Sequence, residues 1–167
     1  MPIPAVDPTR PKSVATRVLT PLFLSPAGKW TLMNVSKRVD PPLLRLTRGR
    51  ISSVMVLELV LLTTTGAKSG VQRTVPLVYF TDGDRVILMA SNYGGTRHPA
   101  WYHNIKATPE VTLYAAGCTG RFVAEETTGA ERERLWGLAK QHTRAYAQYE
   151  QTTQGREVPV VALSPAG

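Results

Sequence analysis

Cysteine is nearly absent from this sequence. Cys118 stands alone, which excludes an internal disulfide and leaves the fold to its hydrophobic core. Histidine is scarce as well, and His98, His103 and His142 have no carboxylate pair or second thiol at ligand spacing, so no metal is expected. No long hydrophobic run occurs. The longest, residues 54–62, is interrupted by Glu58 and is far shorter than the roughly 20 residues that cross a bilayer. The opening residues are proline-rich and polar where a secretory leader would need an apolar centre. These absences lead to the expectation of a soluble, cytoplasmic protein. A G-x-G-x-x-G turn is also missing, which argues against a Rossmann-type nucleotide site.

Acidic residues are almost lacking from the first 50 positions. Asp7 and Asp40 face nine Lys/Arg there, so this segment contributes 9 − 2 = +7 of the net charge of +8. Such an arm suits an anionic membrane face or nucleic acid. Nucleic acid is set aside as a partner, because only Phe23 and Trp30 accompany the arm's cations and no nucleic-acid-binding motif is present. Two readings of the arm remain: attachment to the inner face of the cell membrane, or helices packed on the domain with a solvated basic face. We divide the chain into a basic arm, residues 1–50, and one folded domain, residues 51–167. A chain of 167 residues is long enough for one such core.

Residues 1–13 hold four prolines and read as a disordered or extended lead. Helical segments follow over 14–23 and 27–39, with Pro41-Pro42 expected to stop the second. Beyond residue 53 the texture turns to strands: 54–64, 74–81, 85–91, 111–114, 119–126 and 158–163. "TDGD" at 81–84 is a tight hairpin signal. Pro99 is preset to open a helix through Lys106, and Thr128 with Glu131 reads as a capping box for a helix running to about Gln151. Six short strands in hairpin order, with few helices, argue for an antiparallel barrel or α+β fold (mainly β) over a doubly wound sheet.

The stretch "LLTTTGAKSGVQRTVPLVYF", residues 61–80, places a glycine-flanked loop between two strands. Gly66 and Gly70 allow backbone amides to turn toward an anion, Lys68 and Ser69 add a charge and a hydroxyl, and Arg73 can fork onto phosphate oxygens. A plain hairpin turn with surface cations is the alternative. The segment "MASNYGGTRHPAWYHNIKATPEV", residues 89–111, adds Ser91 and Asn92 at a strand end, a Gly94-Gly95 bend, and a helix bearing Trp101, Tyr102 and Asn104.

Together, the T-T-G-x-K-[ST]-G-x-x-R-x-x-P-L pattern, the A-S-x-x-G-G turn, the H-P-x-W-Y-x-N-x-K-A-x-P helix and a late Tyr-x-x-Tyr resemble the deazaflavin-dependent nitroreductase family, of the F420H2-dependent quinone and ene reductase type. The resemblance implies a split β-barrel of the FMN-binding-like kind, coenzyme F420 as cofactor, and hydride transfer to a small-molecule electron acceptor: a quinone, an activated alkene or a nitroaromatic. It implies that Ala67, Lys68, Ser69 and Arg73 hold the cofactor's phosphate and acidic tail. Pro76, Leu77, Val78, Met89, Ala90, Ser91 and Asn92 would then line the ring, with Ala100, Trp101, Tyr102, His103 and Asn104 closing the groove. The family often has an aromatic residue in place of Val78 and a basic one in place of Asn92. Ser91, Tyr146 and Tyr149 take the catalytic places, with Tyr146 as hydrogen-bond or proton donor. Thr143 stands where some members have a further tyrosine. An FMN-binding split barrel and a non-catalytic deazaflavin carrier are the alternative functions.

Overall fold

Six strands, joined only by antiparallel pairings, close into a barrel in this computed structural model, which describes residues 3–10, 25, 28, 35, 37–47 and 58–167. The strands are β1 Leu59–Thr65, β2 Gln72–Asp82, β3 Arg85–Met89, β4 Glu110–Ala115, β5 Cys118–Glu126 and β6 Val160–Pro165. Around the barrel their order is β1-β2-β3-β6-β5-β4, so closure leaves no free sheet edge. All six expected strands are present, and the mixed α+β reading holds.

Alternation along the strands builds the core. Val60 and Leu62 of β1 lie inside with Val86, Leu88, Leu113, Phe122 and Leu163, each such side chain contributing about 1.5–3 kcal/mol on burial. Directly paired residues share a face. Leu77 and Val75, opposite Val60 and Leu62, therefore pack on the interior. Pro76 and Val78, opposite Leu61 and Leu59, take the outer face of β2.

Four helices complete the described residues: α1 Lys37–Leu46, α2 Ala100–Ala107, α3 Gly129–His142 and α4 Arg144–Thr152. The helix of residues 99–106 is where Pro99 placed it, with Pro99 itself as the N-terminal boundary residue. Other expectations need correction. Pro41 and Pro42 lie inside α1 rather than ending a helix before it; as its fifth and sixth residues they forgo the two bonds their N–H groups would make to the carbonyls of Lys37 and Arg38, and the helix continues past them. Tyr114 Oη donates to the carbonyls of Leu44 and Arg45 at 3.5 and 3.4 Å, fastening the end of α1 to β4. The helices expected over 14–23 and most of 27–36 lie outside the described residues, as does the start of the first strand at 54–57.

The lead segment takes the extended of its two readings. Ile3 is buried to 1% exposure, Tyr79 Oη donates to the Pro4 carbonyl at 3.1 Å, and Val6 exchanges backbone and hydroxyl bonds with Thr81. The late helix, expected to be continuous, is broken at Thr143, whose hydroxyl caps α4 by accepting from the Ala145 amide. The Thr128–Glu131 capping box does not form. Thr128 holds the N-cap position without a side-chain bond, because Glu131 instead reaches Arg85 at 2.8 Å.

That pair belongs to a network pinning the β2–β3 hairpin to α3. Asp82 accepts from Arg85 at 2.7 Å and from both Arg134 nitrogens at 2.9 and 2.7 Å, which holds its carboxyl down at about 2. A carboxyl depressed in the folded state stabilises fully above its unfolded value near 3.8, and this contribution fades as pH falls toward about 2. At pH 7 Asp82→Asn is expected to cost about 1 kcal/mol after solvent screening, a fall of about 2–4 °C in Tm. The gap to the parent should narrow as pH falls below about 4 and close toward about 2. Calorimetry across pH checks this, and a gap that persists in acid would contradict it.

Candidate active site

Two connections at one end of the barrel frame the candidate site: the β1–β2 loop over 66–71 and the turn over 91–98. The register ends with Thr65 opposite Gln72, and six residues then reverse the chain. Gly66 N donates to Val71 O at 2.9 Å, Gly70 N to Gly66 O at 2.8 Å, and Ser69 N to Gly66 O at 3.2 Å. Val71 N donates to Ser69 Oγ at 3.3 Å. A Cβ on residue 66 would stand 2.6 Å from Ser69 Oγ and 3.1 Å from Val71 O, so a side chain there would have to turn the Ser69 hydroxyl off Val71 N, and Gly70 supplies the positive φ of +65°.

The loop is staked from α2. Asn104 is buried, its Oδ1 accepts from the Ala67 amide at 3.0 Å, and its Nδ2 donates to Thr64 Oγ1 at 3.0 Å. Five loop amides are thus already taken, and among the described residues only that of Lys68 has no acceptor. The expectation of several amides turned toward an anion is corrected accordingly. The attraction falls on side chains: Lys68 and Arg73 are exposed, and neither has an ion pair or hydrogen bond among the described residues. Arg73 is paired with Thr64, so it rises on the face of the sheet that Asn104 approaches. Asn104 itself acts on the loop from behind, through both ends of its amide.

The second connection is a strained turn. Asn92, Tyr93 and Gly94 all have positive φ, at 48°, 56° and 76°, a conformation that costs the two non-glycine residues about 1 kcal/mol or more each. Asn92 closes the turn with its Nδ2 on the Arg97 carbonyl at 3.0 Å. Gly94 is required by close approach from α4, since a Cβ there would meet Thr152 Oγ1 at 2.3 Å and Tyr149 Cδ1 at 2.7 Å. Ser91 is half-buried. Its carbonyl is bound, while its hydroxyl caps nothing and makes no hydrogen bond among the described residues.

The remaining candidates divide between core and rim. Met89, Ala90 and Trp101 are buried in the core, whereas Ala67, Ser69, Ala100 and His103 are exposed and Pro76, Leu77, Val78 and Tyr102 half-buried. Tyr102 Oη donates to Glu126 Oε2 at 2.8 Å, which Lys106 also reaches at 3.0 Å. Burial and this acceptor push the Tyr102 hydroxyl up to about 12. Tyr146 and Tyr149 are both buried. Their rings stand 6.0 Å apart, and Tyr146 continues to Trp136 at 5.9 Å. Burial drives the Tyr146 hydroxyl strongly up, so it stays protonated at any ordinary pH, and it makes no hydrogen bond among the described residues. Burial, with Tyr93 next to it, raises Tyr149 to about 12.

Sequence reasoning missed Arg156. Its guanidinium reaches the carbonyls of Ser91 at 2.8 Å and Gly95 at 2.8 and 3.1 Å. No residue spacing announces such a role, because the partners are backbone. Burial raises the Tyr93 hydroxyl, and the Asp40 charge adds to this.

Asn104→Ala would strip the Ala67 amide and the Thr64 hydroxyl of their partner. A loss of about 1–3 kcal/mol in urea denaturation is expected, with faster hydrogen exchange confined to residues 66–71. An unchanged midpoint and unchanged loop exchange would contradict the staking role.

Residues 37–165 match the family model described as F420H(2)-dependent quinone reductase. The chain is similar to an F420H(2)-dependent quinone reductase of Mycobacterium tuberculosis, 37% identical over 110 residues that cover 63% of this chain and 72% of that protein. Among solved structures it is similar to an F420-H2 dependent reductase, at 39% identity and a TM-score of 0.59, covering 64% of this chain and 94% of the other. A second solved chain, described as a domain-swapped dimer, is 36% identical with a TM-score of 0.61 and covers 84% of this chain and 100% of its own. With its barrel, its cationic loop and a match that runs through all six strands, the chain belongs to the F420H(2)-dependent quinone reductase family.

Proposed function

We propose that this protein is an F420H2-dependent oxidoreductase that delivers a hydride to a quinone. Activated alkenes and nitroaromatics, electron-poor acceptors of the same chemical kind, belong to the same proposal. The observation that carries it is a pair of cations without partners among the described residues: Lys68, on a loop whose other amides are satisfied within it or by Asn104, and Arg73, just beyond that loop in β2. Elsewhere Arg85 and Arg134 are tied to carboxylates, as is Lys106. Two cations held out on a pinned loop fit the phosphate and acidic tail of the deazaflavin.

When bound, the reduced deazaflavin supplies the hydride, and a proton from solvent completes the two-electron reduction of the quinone to the hydroquinone. The protein's share is orientation and charge stabilisation. Lys68 and Arg73 fix the anionic end, with the Ser69 hydroxyl beside them. Ser91 offers a free hydroxyl from the strained turn to the acceptor oxygen, on which negative charge grows as the hydride arrives. Tyr146 keeps its proton, so its part is to donate a hydrogen bond and not to act as a base. Tyr149 shapes the pocket by its packing on Gly94. Asn104 is a positioning residue for the loop.

No helix among the described residues is long and apolar enough to cross a membrane. Attachment of the arm to an anionic membrane face is part of this proposal and rests on the +7 charge of residues 1–50. It predicts salt-sensitive binding to anionic vesicles.

Titration of the purified protein with coenzyme F420 and with FMN, followed by menadione reduction in stopped flow, tests the reading. Saturable F420 binding and turnover with F420H2 are expected, with kcat about tenfold lower for Ser91→Ala. Tight FMN binding without F420 binding would overturn it. F420 binding with no turnover would point to a carrier instead.

A further inference from the structure

Arg156 follows α4 in a short turn and has no carboxylate partner among the described residues, although it is half-buried. Every donor it has points at the 90–98 segment or its own neighbour. Nη2 donates to Ser91 O and Gly95 O, both at 2.8 Å, and Nε to Gly95 O at 3.1 Å. Nη1 lies 3.4 Å from Ala90 O and Glu157 O, and 3.1 Å from His98 Nδ1. A guanidinium has no lone pair to accept with, so the last contact has one sense: Arg156 donates and Nδ1 accepts.

We infer that Arg156 is the positioning residue that sets the strained 91–98 turn and locks His98 into the tautomer bearing its proton on Nε2. The turn needs such a clamp, because residues held at positive φ persist only where their surroundings over-determine them. Within it, Gly94 N donates to Ser91 O and Gly95 N to Asn92 O, each at 3.0 Å, and the Asn92 side chain donates to Arg97 O. Arg156 joins both ends through one rigid planar fork, which a lysine ammonium cannot reproduce. The locked His98 packs on Tyr102, with ring centroids 4.9 Å apart, and stands 6.1 Å from His103. The turn's geometry therefore passes into α2, whose Asn104 stakes the cationic loop. One guanidinium thus tunes the wall that presents Ser91. The consequence for cofactor binding rests on the proposed function, while the consequences for the turn and for His98 do not.

Nitrogen-15 NMR of imidazole-labelled protein, with amide hydrogen exchange, tests this on wild type, Arg156→Lys and Arg156→Gln. In the wild type His98 Nδ1 is expected to resonate as an unprotonated nitrogen and Nε2 as a protonated one. In Arg156→Gln the two should move toward a tautomeric mixture, and Gly94 and Gly95 should exchange about tenfold or more faster relative to core amides such as Leu88 and Val161. Arg156→Lys should fall between. Asp82→Asn is the comparison for a general loss of stability and should leave His98 unchanged. The F420 dissociation constant of Arg156→Gln should rise about tenfold. Exchange at Gly94 and Gly95 that tracks the core in Arg156→Gln would overturn the inference. So would a wild-type His98 carrying its proton on Nδ1, a result that does not depend on any variant folding. If the wild type bound no F420, the proposed function would fall, and the imidazole and exchange data would still decide the role of Arg156.

Discussion

A six-residue reversal between β1 and β2 has used up nearly all of its own polarity, and what it does not use decides what the protein can bind. Gly66, Ala67, Ser69, Gly70 and Val71 have their amides satisfied inside the loop or by Asn104. Lys68 and Arg73 are left as charges without counter-charges among the described residues. A loop held this way loses little entropy when an anion arrives, so more of the electrostatic attraction appears as affinity. The closed barrel beneath it makes this possible, because its register fixes Arg73 opposite Thr64 and Thr64 is the residue on which Asn104 rests.

The same end of the barrel is built by long-range contacts of a second kind. α4 sits so close to the 91–98 turn that only glycine fits at 94, and the link after α4 returns Arg156 to the carbonyls of that turn. Tyr149 and Tyr146 continue from this contact to Trp136 on α3. Packing thus joins the late helices, the strained turn and α2 into one wall. Ser91 stands at its edge with a hydroxyl that makes no hydrogen bond among the described residues.

Much of the fold was legible because strands announce themselves locally. The strand texture of β1 and β2, the Thr-Asp-Gly-Asp turn at 81–84 and Pro99 before α2 depend on neighbours within a few residues, and each element falls close to where it was expected. The failures lie where a distant partner intervenes. Glu131 is three residues from Thr128, yet Arg85 claims it across the barrel. The late helix reads as continuous because nothing in its composition forbids helix at Thr143, whose capping of α4 appears only with the geometry. For the site, glycine placement and the cations marked the loop, and the family resemblance supplied the cofactor. The satisfied amides were invisible, since backbone partners leave no trace in side-chain spacing. Arg156 escaped notice for the same reason.

The account is tested most directly by the affinity for F420 of the double variant Lys68→Gln/Arg73→Gln, measured at low and at high salt beside the parent. Two charge-assisted contacts of about 1.5–3 kcal/mol each predict a loss of at least about a hundredfold at low salt. Because those contacts also carry the ionic attraction, the variant's affinity should depend far less on ionic strength. A double variant that binds F420 as tightly as the parent, with the same response to salt, would contradict it.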